Sequence, residues 1–311
     1  MIRMLIAIVG LCVALNANMN VSVSVIPQAF FVKKIAGDLV DVNIMVQKGK
    51  SPETYEPSIN QLKNLSKSVA YFYIGMPFED AWLERFKSVN PDMKIIQPLK
   101  DGDLEKYLEK FTDDNHNESH SHAHHDHHSH DHHNHSHHSH DGESHDHNDD
   151  HHHNHPPHIW LSFILSKLHA TQIAESLISL DSKNAEIYQK NLANFLDEID
   201  KAYEDSQQLF KNNKKAFLVF HPAWSYIANE LGLTEYAIEE DGKEAKIAHT
   251  KKILEIIKDN DIKVIFVQPQ FSQKSARSIA EEANIEVKVA DPLSYDWLNN
   301  LVSFLQEIAK N

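Results

Sequence analysis

Beyond residue 20, short apolar runs alternate with amphipathic stretches, and that alternation narrows the fold more than any other feature. Strands are expected at 21–26, 39–46, 69–74, 216–220, 264–268 and 285–290. Helices are expected between them, at 28–36, 59–67, 78–89, 251–260, 275–283 and 297–310. Strands that alternate with helices form mostly parallel sheets covered by helices, so the expected class is α/β. Ser58 and Gln61 have the spacing of a capping box and start a helix just after Pro57.

Two segments break the alternation. The stretch 185–212 contains no Gly or Pro and places Tyr188, Leu192, Phe195, Ile199 and Tyr203 at helical spacing. A helix of about 30 residues spans roughly 45 Å, which is long for a crossover inside one small domain. It reads as a spine joining two α/β lobes, or as a long surface helix on a single domain. The second segment is 116–155, which holds 20 of the 24 histidines with Asp, Ser and Asn and almost no apolar residues. Such a run cannot bury enough surface to offset its ordering entropy, so a disordered loop is expected over 115–155. Imidazole and carboxylate are good ligands for zinc, copper and nickel.

Charge follows the same division. The chain carries −15, but residues 113–155 contain ten acidic residues and no Lys or Arg, leaving −5 for the rest. Phosphate backbones would be repelled, so no nucleic-acid partner is expected, whereas cations would be attracted. The chain has neither G-x-G-x-x-G nor G-x-x-x-x-G-K, so the common phosphate cradles are missing. The single cysteine, Cys12, excludes a disulfide framework and Cys-based zinc fingers. It lies in an apolar segment, 4–15, that follows Arg3 and precedes the small Ala17. Twelve apolar residues are too few for a bilayer span, so 1–17 is expected to be a secretory signal. Leu11 is too bulky for the usual lipoprotein cleavage position, and Cys12 is expected to leave with the signal.

Outside the loop four histidines remain: His158, His169, His221 and His249. His221 directly follows the apolar run 216–220, and His158 sits in Pro157-His158-Ile159-Trp160 before an amphipathic helix. Ligands of open α/β sheets gather at the carboxyl ends of strands. The same rule finds Glu53 after the run 39–46 and Asp291 after 285–290. Two imidazoles and two carboxylates from four loops could close around a divalent cation. Spacing alone also fits helix caps and satisfied polar turns. His169 reads as a packed or surface helix residue, and His249 as loop before Thr250 at a helix N-cap.

A resemblance then runs through the chain in order. Pro27-Gln28-Ala29-Phe30-Phe31, Ile35-Ala36-Gly37-Asp38 and Ser51-Pro52-Glu53-Thr54-Tyr55-Glu56-Pro57 resemble the metal-receptor family of ABC transporters. So do Gly75-Met76-Pro77-Phe78-Glu79, Pro157-His158-Ile159-Trp160-Leu161 and Asn184-Ala185-Glu186-Ile187-Tyr188. The likeness continues through Phe220-His221-Pro222-Ala223-Trp224, Gln268-Pro269-Gln270-Phe271-Ser272 and Asp291-Pro292-Leu293, and is strongest to the zinc-uptake branch. It implies two α/β lobes joined by a long rigid helix, with the metal in the cleft between them. The implied division is 1–17 signal peptide, 18–180 N-terminal lobe, 181–213 linking helix and 214–311 C-terminal lobe. The implied ligands are Glu53, His158, His221 and Asp291. The partner would be a membrane permease driven by a cytoplasmic ATPase, and the mature protein a periplasmic monomer.

One position departs from the family pattern. Most members have Pro-His before Tyr-Glu-Pro, where this chain has Pro52-Glu53. Two carboxylates make the set harder and leave Mn2+ beside Zn2+ as cargo, while the histidine-rich loop argues for Zn2+. Four protein ligands leave no open position for an activated water, and H-E-x-x-H is missing, so a zinc hydrolase is not expected. A metal-storing or adhesive surface protein is the remaining alternative, but it leaves two lobes without a role.

Overall fold

The computed structural model describes residues 18–112, 155–212, 215–239 and 247–311. The expected signal segment 1–17 lies outside them, as does all of 115–155 except its last residue. The first sheet contains β1 (Met19–Val23), β2 (Val40–Ile44), β3 (Ala70–Phe72) and β4 (Lys94–Ile96) in the order β2-β1-β3-β4. The second contains β5 (Ala216–Val219), β6 (Thr234–Ala237), β7 (Val264–Val267) and β8 (Glu286–Val289) in the order β6-β5-β7-β8. Every strand pair is parallel. In each sheet the chain moves outward by one strand and then crosses to the other side of its starting strand. That reversal opens a crevice beyond the carboxyl ends of the inner strands.

The helices are α1 (Ile26–Ala36), α2 (Ile59–Leu65), α3 (Pro77–Val89), α4 (Asp103–Thr112) and α5 (Phe163–Leu180), followed by α6 (Ala185–Phe210), α7 (Ser225–Leu231), α8 (Ile247–Asp259), α9 (Lys274–Ala283) and α10 (Trp297–Lys310). Among the described residues no helix is long and apolar enough to cross a membrane. The inner strand β7 is buried along its whole length, as a strand covered on both faces must be. Two strands were not expected from the sequence, β4 and β6. They are edge strands of three and four residues, and Lys94 and Thr234 are exposed, so neither shows an apolar run. His249 is a correction: α8 begins at Ile247, so Thr250 lies within the helix and does not cap it.

The 26 residues of α6 span about 39 Å. This helix does not stand alone between the lobes. Phe195 on α6, Phe31 on α1 and Trp297 on α10 form an aromatic cluster, with ring centroids 5.3 Å (Phe31–Phe195) and 4.7 Å (Phe31–Trp297) apart. Residues of both sheets share one buried apolar cluster, and a second cluster fills the far side of the second sheet. Direct hydrogen bonds add to this. The Trp160 indole donates to the Pro292 carbonyl at 2.7 Å, and the Trp297 indole to the Trp160 carbonyl at 2.6 Å. Glu230 of α7 accepts from the Ser162 hydroxyl and from the Phe163 and Ile164 N–H groups at the start of α5. Burial pushes the Glu230 carboxyl up to about 7 against these donors.

Two local devices shape the loops above the first sheet. Gly75, with φ of +86°, turns the Ile74, Gly75 and Met76 N–H groups toward the buried Glu79 carboxylate, which also accepts from Tyr71 and Ser24. This is the physical content of Gly75-Met76-Pro77-Phe78-Glu79. The capping box at α2 is present: Ser58 Oγ accepts from Gln61 N–H, and Gln61 Oε1 from Ser58 N–H. Gln61 also receives the Tyr55 hydroxyl at 2.7 Å, which ties down the loop that carries Glu53. Ser58→Ala is expected to lower stability by about 1 kcal/mol. The change in the urea unfolding midpoint at constant slope measures it.

Candidate metal site between the lobes

His221 is the best-held residue of the site. It follows β5 at the strand reversal of the second sheet, and the buried Gln268, just after β7, clamps its backbone. Gln268 Oε1 accepts from His221 N–H at 3.2 Å, and its Nε2 donates to the His221 carbonyl at 2.6 Å. The ring stacks on Phe271 at 4.7 Å between centroids. Its Nε2 lies 2.8 Å from Glu53 Oε1, and its Nδ1 lies 2.7 Å from Glu239 Oε2.

Glu53 reaches this point from the loop after β2, on the other lobe. His158 arrives from the segment before α5, where its ring sits 5.3 Å from Trp160 and 5.5 Å from His221. One ligand atom from each of Glu53, His158 and His221 falls within 4.8 Å of the others. The cavity that they help to line has about 10 Å³ of space, room for about one water or one ion. Among the described residues no other group of three metal-binding side chains converges in this way.

Asp291, the fourth residue nominated from the sequence, is not in that group and does not line the cavity. Its Oδ1 accepts from Gln270 Nε2 at 2.8 Å and from Leu293 N–H at 3.0 Å. Gln270, Pro292 and Leu293 line the same cavity as the three converging residues. His169 is fully buried in α5, with Nδ1 2.7 Å from the Pro98 carbonyl, and is a packing residue.

The electrostatics suit a cation. Burial alone would raise the Glu53 carboxyl, but the hydrogen bond to His221 and the charge of His221 hold it below the ordinary glutamate value. Burial lowers the imidazole of His221, but its two carboxylate partners outweigh this and raise it. Burial, with His221 adding to it, takes His158 down to about 3, so His158 is neutral and its lone pair is available. Its Nδ1 is buried without a hydrogen-bond partner, an arrangement that costs stability unless an ion or a water completes it. The hydrogen bond between Glu53 and His221 spans the gap a cation would bridge.

Sequence reasoning missed two residues here, Gln268 as a backbone clamp and Glu239 as the partner of His221 Nδ1. Glu239 follows β6, whose one exposed and three half-exposed residues left no strand signal.

Two parallel α/β lobes that close nitrogen and oxygen donors around an ion-sized space define a metal-receptor class of solute-binding protein. The chain belongs to the ZnuA family, described as zinc-uptake complex component A, periplasmic, whose family model matches residues 21–311. A solved ZnuA structure superposes with a TM-score of 0.75 at 33% identity, covering 94% of this chain and 99% of that one. The zinc-binding lipoprotein AdcA of Streptococcus pneumoniae serotype 4 is 25% identical over 89% of this chain, which spans 50% of AdcA. The manganese ABC transporter substrate-binding lipoprotein PsaA of Streptococcus pneumoniae is 24% identical, over 82% of this chain and 73% of PsaA. The chain thus spans about half the length of the first of these relatives.

Proposed function

We propose that this protein captures zinc outside the cytoplasmic membrane and delivers it to the permease of an ABC transporter driven by a cytoplasmic ATPase. The convergence of Glu53, His158 and His221 on one ion-sized space between the lobes carries this reading. Asp291 is the proposed fourth ligand, reached when its carboxylate leaves Gln270 or offers its second oxygen. In this reading 1–17 is a signal peptide and the mature chain a periplasmic monomer. Its lobes are 18–180 and 214–311, with 181–213 as the linking helix. Because the lobes share one apolar cluster, capture needs only small lobe movements, and release falls to the permease. Equilibrium titration of the purified protein with zinc and with manganese tests the assignment. Tight one-to-one zinc binding is expected, and its absence removes the reading.

Manganese is the second reading, and Glu53 favours it. A set of two imidazoles and two carboxylates is harder than the three-imidazole set that a histidine at 53 would make. A clear preference for manganese in the same titration would decide for it.

The histidine-rich segment acts in this scheme as a scavenger that buffers metal for the tight site. With hardly any apolar residues to pre-organise a cage, its binding is loose and multivalent. Deleting 115–155 is expected to leave the single tight site and remove several weaker ones in a calorimetric titration. Loss of the tightest site on deletion would move the functional centre into that segment and favour metal storage.

A further inference from the structure

His221 is the one proposed ligand with a carboxylate on each ring nitrogen, and the two carboxylates are not equivalent. Glu53 Oε1, at 2.8 Å from Nε2, faces the ion-sized cavity, and its side chain is 27% exposed. Glu239 Oε2, at 2.7 Å from Nδ1, belongs to a side chain that does not line the cavity and is only 6% exposed. A carboxylate oxygen at these distances accepts, so in the metal-free protein each ring nitrogen carries a hydrogen; a cation replaces the one shared with Glu53, while Nδ1 keeps the one shared with Glu239. Resting on the metal-receptor reading above, we propose that Glu239 is a positioning residue, which holds His221 with Nδ1–H inward and Nε2 presented to the cation.

Glu239 is itself held on both sides. Its backbone N–H donates to the Phe220 carbonyl at 2.9 Å, which extends the β5–β6 pairing by one rung to the residue before His221. The carboxylate and the imidazole therefore leave neighbouring strands side by side. Phe271 stacked on the ring removes the remaining rotational freedom, and the Gln268 clamp fixes the backbone beneath it. A buried carboxylate on the far nitrogen also makes the near nitrogen a stronger donor to a cation. The neighbouring Glu235 does a different job. Its carboxylate accepts from the Ala223 and Trp224 N–H groups at 3.1 Å and shapes the turn after His221.

Glu239→Ala, Glu239→Gln and the unaltered protein separate this role from simple packing. In the unaltered protein the His221 Nδ1–H proton is expected as a downfield, slowly exchanging NMR resonance with and without zinc. In Glu239→Ala that resonance is lost, and zinc affinity falls by about 10- to 100-fold. Glu239→Gln keeps an acceptor oxygen without the charge, so it restores the resonance and part of the affinity. A Glu239→Ala protein with the resonance and the affinity both unchanged overturns the proposal. So does a Glu239→Gln protein that folds normally yet recovers neither. The NMR arm needs no bound metal, so failure of the zinc reading would show as weak binding in all three proteins with the resonance pattern intact.

Discussion

Replacing either His158 or His221 with alanine is expected to abolish tight one-to-one zinc binding while leaving the metal-free protein folded. Both side chains are almost fully buried and contribute donor atoms to the same group of three. Removing a ligand must cost more than the roughly 10- to 100-fold that loss of an outer partner costs. The two variants are expected to differ in their metal-free stability. His158 has a buried nitrogen without a partner, so truncating it removes an unfavourable group along with its packing. His221 pairs with Glu53 and Glu239, so truncating it leaves the buried Glu239 carboxylate without its partner and is the more destabilising change. Thermal unfolding with and without zinc reads both effects. For the unaltered protein, zinc at about 1,000 times its Kd adds about 4.1 kcal/mol, and this increment vanishes in both variants. A variant that keeps the full zinc-induced rise is not missing a ligand.

The second large effect is expected at Glu53. Glu53→Ala vacates one coordination position, and zinc affinity is expected to fall by more than the roughly 10- to 100-fold that loss of an outer partner costs. Glu53→His replaces a hard oxygen with an imidazole nitrogen, so zinc affinity is retained or raised and the preference over manganese widens. The direct contact between Glu53 Oε1 and His221 Nε2 shows that the side chain reaches the centre of the cleft from the opposite lobe. A histidine is shorter in reach but presents its nitrogen from the same loop, which the Tyr55–Gln61–Ser58 contacts hold in place. Competitive titration of the three proteins with both metals decides the matter. Equal zinc and manganese affinities across the series would take Glu53 out of the coordination shell.

The alternation of apolar runs with amphipathic stretches was sufficient for the α/β class, because a strand buried on both faces must be apolar along its length, as β7 is. The Ser58–Gln61 box was legible because both partners lie within one turn. The continuous pattern through Tyr188, Phe195 and Ile199 marked α6, since a buried helical face repeats every three to four residues. The same reasoning failed at β4 and β6. Edge strands need only one neighbour and one covered face, so their few residues carry no distinctive run. Glu53, His221 and Asp291 could be nominated from their places after strands, His158 from its place before a helix, and all four from the family resemblance. Which of them converge is a matter of how two sheets pack, and spacing along the chain does not contain it. The tertiary structure brought Glu53, His158 and His221 together across some 170 residues of sequence and left Asp291 outside that group, hydrogen-bonded by Gln270. It also supplied Glu239, whose meeting with His221 depends on β6 lying beside β5. Local sequence specifies local hydrogen bonds and the faces that must be buried. The partners those faces find, and the ion-sized space left between them, are decided only when the lobes pack.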